Sequence, residues 1–188
     1  EQVYALGRVH LLRGACTEAL ACLTRRLRIV ESARPDSEAV ATALSLVGLC
    51  CLWEPDGAPG GIPYLERAVA LHRRLHPDAP QTALALAVLG TALRLEGREE
   101  EARPALDEGL KLIERVAPDS ADHAMVLLML VESQSPAGDA AESLRDAERA
   151  LAVVEKQTRG ESTLLGILHT AVGWGLTRQG DLPGARRH

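Results

Sequence analysis

Phenylalanine is absent from this 188-residue chain, and aromatic residues of every kind make up 2% of it. A thick globular core normally leans on large aromatic side chains. The hydrophobic 46% must therefore pack in another way, as thin helical layers of Leu, Ala and Val can. Lysine is nearly missing too, with only Lys111 and Lys156, and the net charge is −5. Without a basic stripe to meet a phosphate backbone, nucleic acid is excluded as the expected partner. The short basic clusters at Arg25, Arg26, Arg28 and at Arg73, Arg74 read as cations placed at the ends of helices, where the dipole favours them. No apolar run approaches the roughly 18 residues of a membrane span; Met125 to Val131 is the densest. With no signal-peptide pattern either, no membrane association is expected.

Chemistry-bearing patterns are also missing. Cysteine occurs at Cys16, Cys22, Cys50 and Cys51, with no C-x-x-C pair. Adjacent thiols on a helix point to different sides, so a zinc site is not expected, and free thiols fit a reducing, cytoplasmic setting. His72 and His76 stand four residues apart, but no carboxylate or cysteine near them in sequence completes a ligand set. Gly60-Gly61 lacks the lysine and Ser/Thr of a phosphate loop, and no Gly-x-Ser-x-Gly occurs. The run Glu99–Glu101 suits a helix N-terminus rather than paired catalytic carboxylates. The reading is a non-enzyme with no cofactor and no metal.

What the chain does have is a period. Pro-Asp occurs at Pro35-Asp36, Pro77-Asp78 and Pro118-Asp119, and Gly160-Glu161 takes the next place, in steps of 42, 41 and 42 residues. Turn glycines fall at Gly14, Gly57, Gly97, Gly138 and Gly180. Small residues open each second helix at Ala19, Gly61, Ala102, Ser143 and Ala185, stepping by 42, 41, 41 and 42. A glycine sits in the middle of each first helix at Gly7, Gly48, Gly90 and Gly173, with Val131 where a fifth is due. Glycine inside a helix costs about 1 kcal/mol against alanine, so recurrence at one phase points to a neighbouring helix pressing where no side chain fits. Between the markers, apolar residues recur at i, i+3, i+4, as in Ala102, Leu106, Gly109, Leu110 and Ile113, the sign of helices with one buried face. A helix pair of this kind cannot bury its apolar face alone, and stacked copies can.

Leu89-Gly90, then Leu93, Gly97, Ala102, Leu106 and Gly109 resemble the large and small positions of the tetratricopeptide repeat (TPR). Leu6-Gly7, Gly14, Ala19 and Leu23 match that spacing again, as do Gly173, Gly180 and Ala185. The usual unit of that family is about 34 residues; here it is 41 to 42. The longer unit, with His76-Pro77-Asp78 at the junction and EEARPALDEGLKLIE in the second helix, is similar to the kinesin-light-chain type of repeat. The resemblance implies an all-α fold, a right-handed α-α superhelix (TPR-like solenoid) of antiparallel helix pairs with about 4.5 repeats. These are expected at 1–34, 35–76, 77–117, 118–159 and, as a partial repeat, 160–188. Helices are expected near 1–13, 16–33, 36–53, 61–76, 79–96, 99–117, 119–134, 140–159 and 161–179, with a further one starting at Leu182. The chain starts inside one helix and stops a few residues into another. It is accordingly expected to be a piece of a longer protein, with uncapped ends and with Leu165, Leu168 and Val172 partly uncovered.

Family geometry puts the first helix of each repeat on a concave groove. Projected onto this chain, the groove residues are Tyr4 and Arg8; Thr42, Ser45, Leu49 and Leu52; Leu84, Ala87, Thr91 and Arg94; Met125, Leu128 and Glu132; and Ile167, Thr170, Trp174 and Thr177. An apolar groove with sparse polar anchors suits a peptide or helix of a partner protein, with Arg8 and Arg94 as carboxylate clamps. Trp53 and Trp174 are candidate hot spots. The asparagine ladder with which kinesin-light-chain-type repeats grip a peptide backbone has no counterpart, since Ser45, Ala87, Leu128 and Thr170 occupy the comparable places. The expected function is a protein–protein interaction scaffold. The alternative is a regulatory or self-assembly module, pairing through its uncapped ends, within a larger multidomain protein of the bacterial signalling kind.

Overall fold

The computed structural model describes residues 16–52, 60–133, 140–157 and 163–187. The described residues form α1 (Cys16–Ala33), α2 (Glu38–Leu52), α3 (Gly61–Leu75), α4 (Pro80–Leu95), α5 (Glu99–Val116), α6 (Ala121–Ser133), α7 (Ala140–Gln157), α8 (Thr163–Gln179) and the short α9 (Leu182–Ala185). Helix ends fall within about two residues of those expected, the ordinary scatter of helix boundaries. Each helix packs on the next in sequence, so α2, α4, α6 and α8 are the first helices of successive repeats and α1, α3, α5 and α7 the second. A continuous apolar core runs from α3 to α8, and a second cluster joins α1, α2 and Ala68 of α3.

Two of the mid-helix glycines, Gly48 and Gly90, have the packing cause that their recurrence implies; Gly7 lies outside the described residues. A Cβ on Gly48 would lie 2.4 Å from Cγ of Leu65, and one on Gly90 would lie 2.5 Å from Cγ of Leu106. Both distances are far inside contact range, so a leucine of the second helix occupies the space a side chain would need. Leu23, Leu65 and Leu106 are fully buried at one phase of the repeat. The fourth place in that series is Ala147, and the fourth glycine place is Val131. Repeat four thus makes the reciprocal choice at the two positions, a larger residue where glycine stands elsewhere and a smaller one where leucine stands elsewhere. Ala19, Gly61 and Ala102 are buried as expected of close helix approach; a Cβ on Gly61 would come within 2.9 Å of Cys51 Cβ.

The described turn glycines end helices as predicted. Gly97 has φ 77° and Gly180 φ 84°. After α4, the Arg98 N–H donates to the Leu93 carbonyl and the Gly97 N–H to the Arg94 carbonyl, each at 2.9 Å. After α8, Asp181 and Gly180 repeat this pattern with Leu176 and Thr177. Both are Schellman caps, which need a left-handed residue at that place.

The Pro-Asp aspartates turn out to close each repeat on itself. Arg74 meets Asp36 at 2.6 Å, Arg115 meets Asp78, and Lys156 meets Asp119 at 3.6 Å. In every case a base at the end of the second helix reaches the aspartate that opens the same repeat. A second series links neighbouring second helices: Arg67 with Glu31, Arg73 with Glu108 at 2.6 Å, and Arg149 with Glu114. Exposed pairs of this kind add little stability and are screened by salt. First helices, by contrast, touch directly, α2 with α4 and α4 with α6. Close first helices and second helices linked by long side chains bend the stack toward the first-helix side, which is therefore concave.

One expectation fails at the far end. Leu168 and Val172 are buried, at 0% and 1% exposure. Helix α8 leans on α7 of the preceding repeat, where a Cβ on Gly175 would meet Leu144 at 3.1 Å. Only Leu165 of the three is half-buried.

Two histidines occupy core positions. His72 stands where the next two repeats have the buried Ile113 and Val154. Ser45 Oγ donates to the Ala41 carbonyl, so it accepts from His72 Nε2 at 3.4 Å, and Nδ1 is left buried with no partner. His123 Nδ1 accepts the backbone N–H of Asp119 at 3.2 Å, which puts its proton on the buried Nε2, where no acceptor is found. Burial lowers both pKa values below the ordinary 6.5. At His72 the Glu38 carboxylate opposes the shift and His76 adds to it. At His123 Arg149 adds to it, and Glu114 and Asp119 oppose it.

Two outcomes are expected. Gly90→Val should destabilise the fold by about 1–3 kcal/mol through overpacking. Adding Leu106→Ala, as at Val131 and Ala147, should recover part of that loss; urea unfolding of the single and double variants measures it, and simple additivity would refute the lock. The depressed histidine pKa values mean that the unfolded chain binds more protons, so this part of the stability is complete above pH 6.5 and lost as pH falls through the folded pKa. The melting temperature should drop between about pH 7.5 and pH 5, and His72→Val should flatten the drop.

Candidate functional site

The concave side is built from helices of unusual composition. On α2, α4, α6 and α8 the charged residues are Glu38, Arg94, Asp122, Glu132 and Arg178, while α5 alone carries more than all four together. The cause is packing: α2, α4 and α6 are each wedged between two second helices and a neighbouring first helix, so they are apolar nearly all round. Second helices bury one stripe and present charge on the other. The charged surface of the solenoid thus lies on one side and the uncharged surface on the other.

The projected groove residues divide into three groups. Leu49, Leu52, Leu84 and Met125 are half-buried apolar side chains resting on the core band with a remaining accessible face. Thr91 is half-buried, and Thr170, Trp174 and Thr177 are exposed, Trp174 at 57%. Thr42 is half-buried. Ser45 is half-buried as well, and its contact with His72 turns it toward α3. Two assignments are corrected: Ala87 is 0% and Leu128 5% exposed, so both belong to the core. Tyr4, Arg8 and Trp53 lie outside the described residues, as do the side chains of Glu132 on α6 and Ile167 on α8.

Several polar groups of this face are engaged within the chain. Arg94 donates Nε to Glu99 Oε2 at 2.9 Å and a terminal nitrogen to Oε1 at 3.0 Å. This bidentate pair fills the guanidinium fork that the sequence assigns to a ligand carboxylate. The pairing spans the Gly97 turn, so its partners become neighbours only once the cap forms. Arg98 makes a similar fork with Glu101, and that hydrogen bond holds the Glu101 carboxyl below its usual range. Arg178 lies 5.3 Å from the ring centroid of Trp174, a cation–π stack at i, i+4 that sequence spacing alone could have located. The hydroxyls of Thr91, Thr170 and Thr177 donate to the carbonyls of Ala87, Gly166 and Gly173, four residues back, at 2.9, 2.9 and 2.8 Å. Their protons are thereby turned into their own helices.

The opposite side has a depression along α5, near the start of α4. Its lining mixes both signs of charge, among them Glu100, Arg103, Asp107 and Lys111, with Pro77, Pro104 and Leu112 its apolar members. No cluster of three or more His, Cys, Asp or Glu suited to a metal is found among the described residues. His72 and His76 separate, one buried and the other exposed 3.8 Å from Glu38. Cys50 and Cys51 are both buried and Cys22 is half-buried. No helix among the described residues is long and apolar enough to cross a membrane.

Comparison with known proteins agrees with this architecture. Residues 60–115 match the family model described as tetratricopeptide repeat. No curated protein matches the chain in sequence. Among solved structures, a kinesin-light-chain-like protein of Podosopora anserina with nearly identical TPR-like repeats is similar, with TM-score 0.68, 16% identity and coverage of 99% of this chain and 89% of that one. BtubC (BKLC) from P. vanneervenii is similar with TM-score 0.72, 19% identity and coverage of 99% and 75%. The fold class is thus the right-handed superhelical solenoid, used in general as a protein–protein interaction scaffold. Residues 60–115 are thus similar to the tetratricopeptide repeat, and the chain as a whole has the fold of the kinesin-light-chain-like TPR solenoids.

Proposed function

We propose that this chain holds a peptide or a helix of a partner protein against the concave face of α2, α4, α6 and α8. One observation carries the reading. That face combines half-exposed Leu49, Leu52, Leu84 and Met125 with exposed Trp174, while the charge of the solenoid lies on the second helices. Covering such side chains contributes roughly 25 cal/mol per Å² of apolar surface, offset by the cost of ordering the partner. Trp174, fixed by Arg178, is already oriented and loses little freedom on binding, as a hot-spot residue should.

The test places a photo-crosslinking amino acid at Thr170, on the concave face, or at Lys111, on the charged side. Both variants are exposed to lysate of the source organism. A partner adduct expected from position 170 and not from 111 supports the groove. Adducts from 111 alone would move binding to the charged face. Adducts made only of this chain with itself would favour the self-assembly module.

A further inference from the structure

The groove's hydrogen-bonding chemistry selects among its occupants. We infer that the partner segment is an amphipathic α-helix docking an uncharged apolar face, and not an extended peptide; this rests on the reading that the concave face binds a partner. An extended peptide arrives with its backbone N–H and C=O groups unpaired, and burying them without partners is costly. Carboxamides are the side chains best suited to meet both, since one group carries a donor and an acceptor. The chain contains no asparagine at all. On the described first helices the glutamines are Gln81 and Gln179, in the first turn of α4 and at the last residue of α8, away from the middle of the face.

Three groove threonines and the two described groove arginines do not replace them. Thr91, Thr170 and Thr177 have given their protons to their own helices, so they offer acceptors and methyl groups but no donor to a peptide carbonyl. Arg94 turns its Nε edge to Glu99, so its charge is already paired, and Arg178 lies over Trp174. A helix satisfies its own backbone and asks the groove only for apolar contact, which Leu49, Leu84, Met125 and Trp174 supply. The same account fixes the charge of the docking face: the described middle of the groove has no charge left to pair with one.

Two peptide libraries displayed against the intact chain test this. One holds peptides of about 16 residues locked helical by side-chain cross-links between i and i+4; the other holds peptides of the same length with periodic prolines, which cannot be helical. The counter-target is Thr91→Glu/Trp174→Glu, verified by circular dichroism to keep its helicity. The expected result is enrichment from the helical library of binders carrying an uncharged stripe, with affinity falling about tenfold or more on the counter-target. Binders from the proline library that are lost on the counter-target would overturn the helix and leave the groove standing. Binders that ignore the counter-target, or no binder from either library, would overturn both.

Discussion

The contact on which the stack depends is that between a glycine in the first helix of a repeat and a leucine in the second. Gly48 with Leu65 and Gly90 with Leu106 bring two helices together at a distance that leaves no room for a side chain opposite the leucine. Interiors are close-packed, so this one distance sets how each pair lies, and stacking equal pairs generates the solenoid. A helix-weakening residue is tolerated because the neighbouring leucine, fully buried at Leu65 and Leu106, more than offsets the intrinsic cost. In sequence, Val131 and Ala147 keep the combined size of the two positions similar by the opposite allocation.

The division of charge follows from the same geometry. First helices have neighbours on nearly every side and leave only a narrow strip to solvent, so their sequences are apolar with a few hydroxyls. Second helices have an open outer side, where Arg74–Asp36, Arg115–Asp78 and Lys156–Asp119 close each repeat and Arg67–Glu31, Arg73–Glu108 and Arg149–Glu114 tie it to the next. A surface uncharged on one side and zwitterionic on the other is a by-product of stacking, yet it determines which partner chemistry each side can accept. Apolar contact belongs to the inner side, and salt-sensitive contact to the outer one.

His72 and His123 depart from this economy. Both place a ring nitrogen in the interior without a partner, and one stands where neighbouring repeats use isoleucine or valine. The cost of an unpaired buried polar atom exceeds what a hydrogen bond on the other nitrogen returns. Repeats two and four consequently tie part of their stability to pH through these histidines.

Most of the architecture was legible in the chain itself. The period, the helices, the caps at Gly97 and Gly180 and the close approach at Gly48 and Gly90 follow from local rules: where glycine is tolerated, where a helix must stop, and which phase repeats. The groove was legible only in part. Consecutive helix residues are turned by about 100°, so an error of one position carries a side chain from the open face to a seam, as happened at Ala87 and Leu128. The pairing of Arg94 with Glu99 forms only across a completed turn, and the aspartate–base closures span 37 or 38 residues that meet only when the pair has folded. Local conformation and periodicity belong to short stretches of chain and were determined by the sequence alone. Which side chains reach solvent and which charges find each other depend on distances between helices, and only the tertiary structure decided them.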